Sequence, residues 1–270
     1  MPVVLYPEDL QQLIEVEFNF LHRALSKLSA EEQVSIGIQL QDHDPFPYHL
    51  CTSFPVPFCN LIRGQPSSEL MNQLPSLLKE INSYQDVVYL AVMPDDSIVP
   101  FIQQLQDLDF QISGFEDIWI MDLDQIEPEK HSSIVQVSED QLAAYINVTN
   151  TAFDVNGESE QAMTMITRGM FRDEKNALFG FMSEDQMVGA GLCHVNGDTA
   201  YLGGGSALEA FRGRTIQQHL LTHRMSYAKE QGAKYAVVTT SVNTTSGRNM
   251  SRLGFQKAMT FTNYVYSDRS

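Results

Sequence analysis

The segment GGGSALEAFRGRTIQQHLL, residues 203–221, decides how the chain is read. Gly203, Gly204 and Gly205 loosen a strand expected over 199–208. A short basic turn, Arg212-Gly213-Arg214, leads into a helix expected over 213–231. Its apolar stripe is Ile216, Leu220, Met225 and Ala228, with Leu221 alongside, and Gly232 stops it. The first amides of such a helix have no carbonyl partner inside it, and they sit at the positive end of the helix dipole. They form a ready anion site. Gly213 lets the backbone approach a ligand, and Arg212 and Arg214 add cations at the same point. The construction suits a diphosphate. It is not a phosphate loop, which needs Gly-Lys-Ser/Thr, nor a dinucleotide turn, which needs Gly-x-Gly-x-x-Gly.

The two arginines stand out because the chain is acidic. Its 270 residues carry 17 Lys and Arg against 34 Asp and Glu, a formal net charge of −17. That balance argues against nucleic acid and anionic membranes as partners and is compatible with a cationic one such as an amine. A hydrophobic fraction of 43% excludes a disordered chain. Cys51, Cys59 and Cys193 are too few and too irregularly spaced for a disulfide framework or a zinc site, and they read as thiols in a reducing cytoplasm. The first ten residues lack the pattern of a signal peptide, and no apolar run approaches the ~20 residues of a membrane span. A cytoplasmic protein without a metal is the expectation.

Outward from the central segment, the pattern is α/β. Residues 8–28 have a helical apolar face, 35–39 alternate weakly as a strand, and 42–66 are an irregular Pro- and aromatic-rich stretch. A helix over 69–82, a buried strand over 86–92, a turn at 94–96, a helix near 97–107 and a closing strand over 111–123 follow. The polar stretch 124–133 is the linker. Beyond it come a strand at 134–137, a helix opened by Ser138 and Gln141 as a capping box, and a helix at 159–172. Strands follow at 177–182, 187–195 and 199–208, then the long helix, a strand at 235–240, a helix at 244–253 and a strand at 256–266. The halves echo one another, most plainly in Leu108-Asp-Phe-Gln111 against Leu253-Gly-Phe-Gln256. Duplicated domains over 1–126 and 134–270, joined by 127–133, are expected.

The stretch Arg212-Gly-Arg-Thr-Ile-Gln217 resembles the acetyl-CoA-binding signature of the GCN5-related N-acetyltransferases, (Gln/Arg)-x-x-Gly-x-(Gly/Ala). The run Asn243 to Phe255 resembles the helix that follows it in that family. The likeness covers about residues 134–266, and the first half looks like a degenerate copy without the arginine turn. It implies a mixed central sheet flanked by helices, in two tandem copies. It also implies acetyl-CoA as cosubstrate and transfer to a primary amine by direct attack in a ternary complex. Carried over by position, Ala207 and Leu208 would pair with the pantetheine arm, and one of their amides would polarise the thioester carbonyl. Arg212, Gly213, Arg214, Thr215, Ile216 and Gln217 would hold the pyrophosphate. Asn243 would bond the pantetheine, with Ser246 and Arg248 beside it. Thr215 and Gln217 depart from the family's small residues, Glu209 replaces a frequent proline, and Met250 stands where many members have a protonating tyrosine.

Glu209 is a candidate for the amine proton, and Tyr264 or Ser246 for the missing acid. Against them stand a solvent-facing carboxylate, or a partner for Arg212, and ordinary sheet packing. His219 and His223 read as exposed helix positions rather than metal ligands. Met163, Met165 and Met170 read as helix packing or an adaptable acceptor pocket. The alternative to a transferase is a module that binds or senses acyl-CoA without turnover, and a third reading is an α/β protein whose arginine turn binds any anion.

Overall fold

The computed structural model describes residues 7–41, 48–51, 59–64, 67–81, 87–92 and 96–267. The chain begins with α1 (Pro7–Ser26), α2 (Ala30–Ser35), β1 (Ile38–Gln41), β2 (Tyr48–Cys51) and β3 (Leu61–Gly64). It continues through α3 (Ser68–Ile81), β4 (Val87–Val92), α4 (Ile102–Asp107) and β5 (Gln111–Asp122). Then come β6 (Ile134–Gln136), α5 (Leu142–Ala152), α6 (Glu158–Arg172), β7 (Asn176–Ser183), β8 (Gln186–Asn196), β9 (Thr199–Tyr201) and β10 (Ser206–Ala207). The last elements are α7 (Ile216–Glu230), β11 (Tyr235–Ser241), α8 (Thr245–Arg252) and β12 (Gln256–Ser267). This is the mixed α/β order expected from the sequence, with three differences. A short helix, α2, precedes the first strand, opened by a Ser29–Glu32 capping box in which Glu32 N–H donates to Ser29 Oγ at 3.2 Å. Two strands, β2 and β3, form within the stretch 42–66 that the sequence marks as irregular. The strand expected over 199–208 is broken into β9 and β10. Residues 94–95 of the expected turn and parts of the 42–66 stretch lie outside the described residues.

The elements fall into two compact units. Unit one takes Met1–Leu28, Trp119–Thr239 and Gly254–Gln256; unit two takes Ser29–Ile118, Thr240–Leu253 and Lys257–Ser270. The expected linker at 127–133 lies inside the middle stretch of unit one. Helix α1 groups with unit one, and β12 from Lys257 onward groups with unit two.

In unit two, β1, β2, β3 and β4 run in sequence, β3 and β4 parallel and the others antiparallel. The closing strand β12 lies antiparallel to β4, pairing Thr262 with Val92 and Tyr264 with Leu90. Leu50, Ile62, Leu74, Leu90, Leu105 and Phe110 form the core. Helix α4 ends at Leu108, and Asp109 (φ 62°) carries the chain into β5; α8 ends at Leu253, and Gly254 (φ 89°) carries the chain into β12. The echoed sequences therefore encode the same left-handed helix stop ahead of a buried phenylalanine.

In unit one, the antiparallel run β6–β7–β8–β9 meets β11 in parallel beside β9. Side chains alternate along β8. Ala190 and Leu192 pack in one cluster with Leu142, Tyr145 and Val148 of α5. Gly189 and Gly191 face α7. Helices therefore flank both faces, which identifies the fold as the mixed, helix-flanked sheet expected. Met170 packs against the α5 cluster, in keeping with its packing reading.

Helix α1 is fastened to α6 by two devices. Arg23 donates to Asp173 through Nε at 2.9 Å and Nη2 at 2.6 Å, and the carboxylate is fully buried. The contact is close because Gly169 has no side chain. A Cβ there would lie 2.2 Å from the Ala24 carbonyl oxygen. Alanine ordinarily gains about 1 kcal/mol over glycine inside a helix. Gly169→Ala should instead lower stability by about 1–3 kcal/mol, the range for overpacking, as read by urea unfolding.

His194 on β8 is fully buried beside this joint, its ring against Phe20. Asn176 Nδ2 donates to the Met170 carbonyl, which leaves Asn176 Oδ1 to accept from His194 Nδ1 at 2.7 Å. His194 Nε2 is buried with no partner. Burial lowers the imidazole pKa from 6.5 to about 4, against the raising effect of Asp173 and with smaller lowering effects of Arg23 and Lys175. A depressed pKa means the unfolded chain takes up the proton first. Stability is therefore complete above about pH 6.5 and falls as pH drops towards 4, by about 3 kcal/mol in all. Unfolding followed from pH 7.5 to 4 should show this slope, and His194→Gln should flatten it.

Candidate functional site

The site is built where β9 stops. Leu202 N–H donates to Val237 O at 2.9 Å, the last bond between the β9 path and β11. The chain then passes Gly204 (φ 60°), and β10 continues along β8 in the same antiparallel direction after a one-residue bulge, Ser206 opposite Ala190 and Ala207 opposite Gly189. One side chain holds this parting. Arg224 of α7 is 2% exposed. Its Nη1 donates to Leu192 O at 2.8 Å and to Gly203 O at 2.7 Å, and its Nε to Leu220 O at 3.0 Å. These acceptors are all backbone carbonyls, and burial pulls the guanidinium pKa down. The same burial pushes the neighbouring Cys193 thiol up to about 12. Gly191 makes room, since a Cβ there would lie 2.8 Å from Arg224 Cζ.

Leu208 N–H donates to Val188 O at 2.9 Å. Successive amides of an extended strand point to opposite edges, so the Ala207 N–H faces away from β8. Of the two amides singled out in the sequence, the one at Leu208 is therefore occupied and the one at Ala207 is directed to the parted side.

A single turn of 3₁₀ helix, Glu209–Phe211, follows, with Glu209 exposed. Gly213 has φ 78° and Thr215 has φ 61° before α7 begins at Ile216, three residues later than the sequence pattern suggested. Arg212, Gly213, Arg214, Thr215 and Gln217 are exposed and Ile216 is buried. Ile216 fixes the helix start against β8: a Cβ on Gly189 would come 2.6 Å from Ile216 Cγ2. Arg214 lies over the Phe211 ring, 5.0 Å from its centroid. Thr215 Oγ1 donates to Arg214 O at 2.6 Å and lies 3.0 Å from His219 Nε2. The turn thus gathers two guanidinium groups and the unpaired amides of a 15-residue helix at one exposed point.

Positive φ at Thr215 is expensive for a β-branched residue. It falls at the position where the acetyl-CoA signature calls for glycine, so the backbone form of the signature is kept although its residue is not.

Asn243, Ser246 and Arg248 belong to unit two and are exposed. Asn243 has φ 63°, and Arg248 donates to Asn243 O at 3.1 Å and to Thr245 Oγ1 at 2.8 Å. Tyr264, also in unit two, is 7% exposed within the core, and burial raises its pKa. Its surroundings are those of a packing residue. Met250 is buried. His219 and His223 differ from the exposed positions expected. They are half-buried: His219 lies 4.4 Å from the His131 ring, and His223 accepts from His131 N–H at 3.3 Å and meets Phe179 edge-on. Burial lowers the His223 pKa. Among the described residues there is no cluster with the make-up of a metal site and no helix long and apolar enough to cross a membrane. The three thiols are buried and unbridged. Arg224, Gly189 and Gly191 were not singled out from the sequence; the alternation Gly-Ala-Gly in an otherwise apolar strand was the available signal.

The class is that of a helix-flanked mixed sheet whose strands part ahead of an exposed, arginine-flanked helix start. Residues 135–255 match the model of the Acetyltransferase (GNAT) family. Solved structures share the fold at low identity. A functionally unknown conserved protein from Staphylococcus epidermidis is 14% identical, with TM-score 0.63 over 90% of this chain and 99% of its own. A GCN5-related N-acetyltransferase from Sphaerobacter thermophilus is 14% identical, with TM-score 0.60 over 92% and 93%. A tandem GNAT protein from the clavulanic acid biosynthesis pathway is 10% identical, with TM-score 0.58 over 95% of both chains, and fits the tandem arrangement expected here. No curated protein matches the sequence.

Two substitutions test the geometry. Gly191→Ala should displace Arg224 and cost about 1–3 kcal/mol. Thr215→Gly relieves about 1–2 kcal/mol of left-handed strain and gives back about 0.5–1 kcal/mol in chain entropy, so its unfolding midpoint should stay level or rise. Thermal melts of both variants read these outcomes.

Proposed function

We propose that the chain is an N-acetyltransferase that takes acetyl-CoA as cosubstrate and acetylates a primary amine by direct attack in a ternary complex. The observation that carries this reading is the turn at 212–217, with positive φ at both Gly213 and Thr215 and two exposed arginines at the start of α7. Arg212, Arg214 and the amides of Ile216–Gln218 bind the pyrophosphate oxygens. The parting after Leu202 and Val237 admits the pantetheine arm. The Ala207 N–H donates to the thioester carbonyl oxygen as negative charge grows on it. Glu209, exposed at the same end of β10, accepts the amine's proton through water. The attacking nitrogen forms the new C–N bond, the C–S bond breaks, and coenzyme A leaves as a thiolate. Most of the acceleration then comes from holding amine and thioester together.

Titration calorimetry with acetyl-CoA tests the binding half. Arg212→Ala and Arg214→Ala should each weaken affinity about tenfold, equivalent to about 1.4 kcal/mol, with normal melting curves. Affinity unchanged in both variants, or inorganic phosphate competing as well as coenzyme A, would remove the reading. Steady thiol release with a set of primary amines tests the transfer half, because an acyl-CoA sensor binds without releasing thiol.

A further inference from the structure

Unit one contains a second polar cavity that the reading above does not use. It lies between α5 and α6 and has a volume of about 470 Å³. That is within the range of small-molecule sites. Its α5 wall is the face Leu142, Ile146, Asn150, and its α6 wall the face Glu160, Thr164, Arg168. Asn150 is only 5% exposed, and its Oδ1 has no hydrogen-bond partner. An orphaned buried acceptor is uncommon and calls for an explanation. Asn150 lines the cavity, where a ligand N–H would satisfy that acceptor. Around it stand charges without partners among the described residues: the carboxylates of Glu139 and Glu160, and the guanidinium of Arg168. Ile146 and Phe171 supply half-buried apolar surface that continues into the α5 core cluster.

We infer that this cavity binds a small zwitterion of the amino-acid type with an apolar side chain. Its ammonium group is held by Glu160 and by Asn150 Oδ1, its carboxylate by Arg168, and its side chain against Ile146 and Phe171. A site lined by both signs of charge disfavours a ligand with only one, because the opposite charge is then left unpaired as water is excluded. The inference concerns binding alone and stands apart from the transfer reading, so it is tested without acetyl-CoA.

Three probes of similar shape separate the chemistry: L-phenylalanine, phenethylamine and 3-phenylpropionate, titrated into the full chain and followed by ligand-observed NMR or calorimetry. L-phenylalanine should saturate, and each single-charge analogue should bind at least tenfold more weakly. Arg168→Gln, at an exposed position, should weaken L-phenylalanine binding at least tenfold. Asn150→Leu should do the same while its melting midpoint holds or rises, since leucine removes the orphaned acceptor. The inference is overturned if no probe saturates or if an analogue matches L-phenylalanine. It is equally overturned if both variants bind as the parent does, or if Asn150→Leu melts earlier yet still binds.

Discussion

Unit one is organised around a guanidinium whose hydrogen-bond acceptors are all backbone carbonyls. Arg224 is buried, and the oxygens of Leu220, Leu192 and Gly203 receive its N–H groups. Leaving water costs a cation dearly, and bonds from a charged donor, stronger than neutral ones, offset part of that cost. The consequence is topological. The Gly203 carbonyl is held by Arg224 and by the Leu192 N–H of β8, and the chain does not continue as a strand beside β11. It bulges at Gly204 and stays on β8 through Ser206. The parting of the strands is therefore set by the protein's own core and exists before any ligand arrives.

Such an arrangement needs space, and β8 provides it on one face only. Gly189 and Gly191 let Ile216 and Arg224 come nearly to the strand backbone, while Ala190 and Leu192 on the other face give α5 an ordinary apolar bed. One strand thus seats two helices at different depths. The close seat brings the first turn of α7 against the end of the sheet, and it fixes the arginine turn to a rigid element. The dipole of a long helix and two guanidinium groups then act at one place in a chain whose overall charge of −17 repels anions elsewhere.

Much of this was legible in the sequence because it rests on periodicity and on glycine. The stripe of α7, the strands β7 and β8 and the basic turn all follow from local pattern. The echo Leu108-Asp-Phe-Gln111 and Leu253-Gly-Phe-Gln256 was legible for the same reason, since both copies encode a left-handed helix stop before a buried aromatic. What escaped depends on contacts between distant residues. In sequence Arg224 lies among His223, Lys229 and other polar residues and reads as part of a solvated face. Its burial follows only when Gly191 is known to lie beneath it. The glycines at 203–205 announced a loosened strand, but not that it would bulge there and stay on β8 while parting from β11. Helix α2 is too short for an apolar stripe, although its capping box was present at Ser29 and Glu32. Strand position alone left Tyr264 open to packing or to an acid's role, and its burial in the core of unit two is visible only in the fold.

The departures from the acetyl-CoA signature divide along a physical line. At Thr215 the requirement is a backbone conformation, and threonine meets it at φ 61° by accepting strain, with its hydroxyl bonded to Arg214 O. The amides that follow keep their direction. At Met250 the family's tyrosine contributes a hydroxyl, and no backbone adjustment of a buried thioether supplies one. A motif that works through main-chain geometry tolerates a change of residue at modest cost. One that works through a side-chain proton does not. Gripping a diphosphate and protonating a leaving group are therefore separable properties of this fold. On the proposed reading the first rests on the turn at Gly213 and Thr215, and a thiolate that leaves without a proton makes the second dispensable.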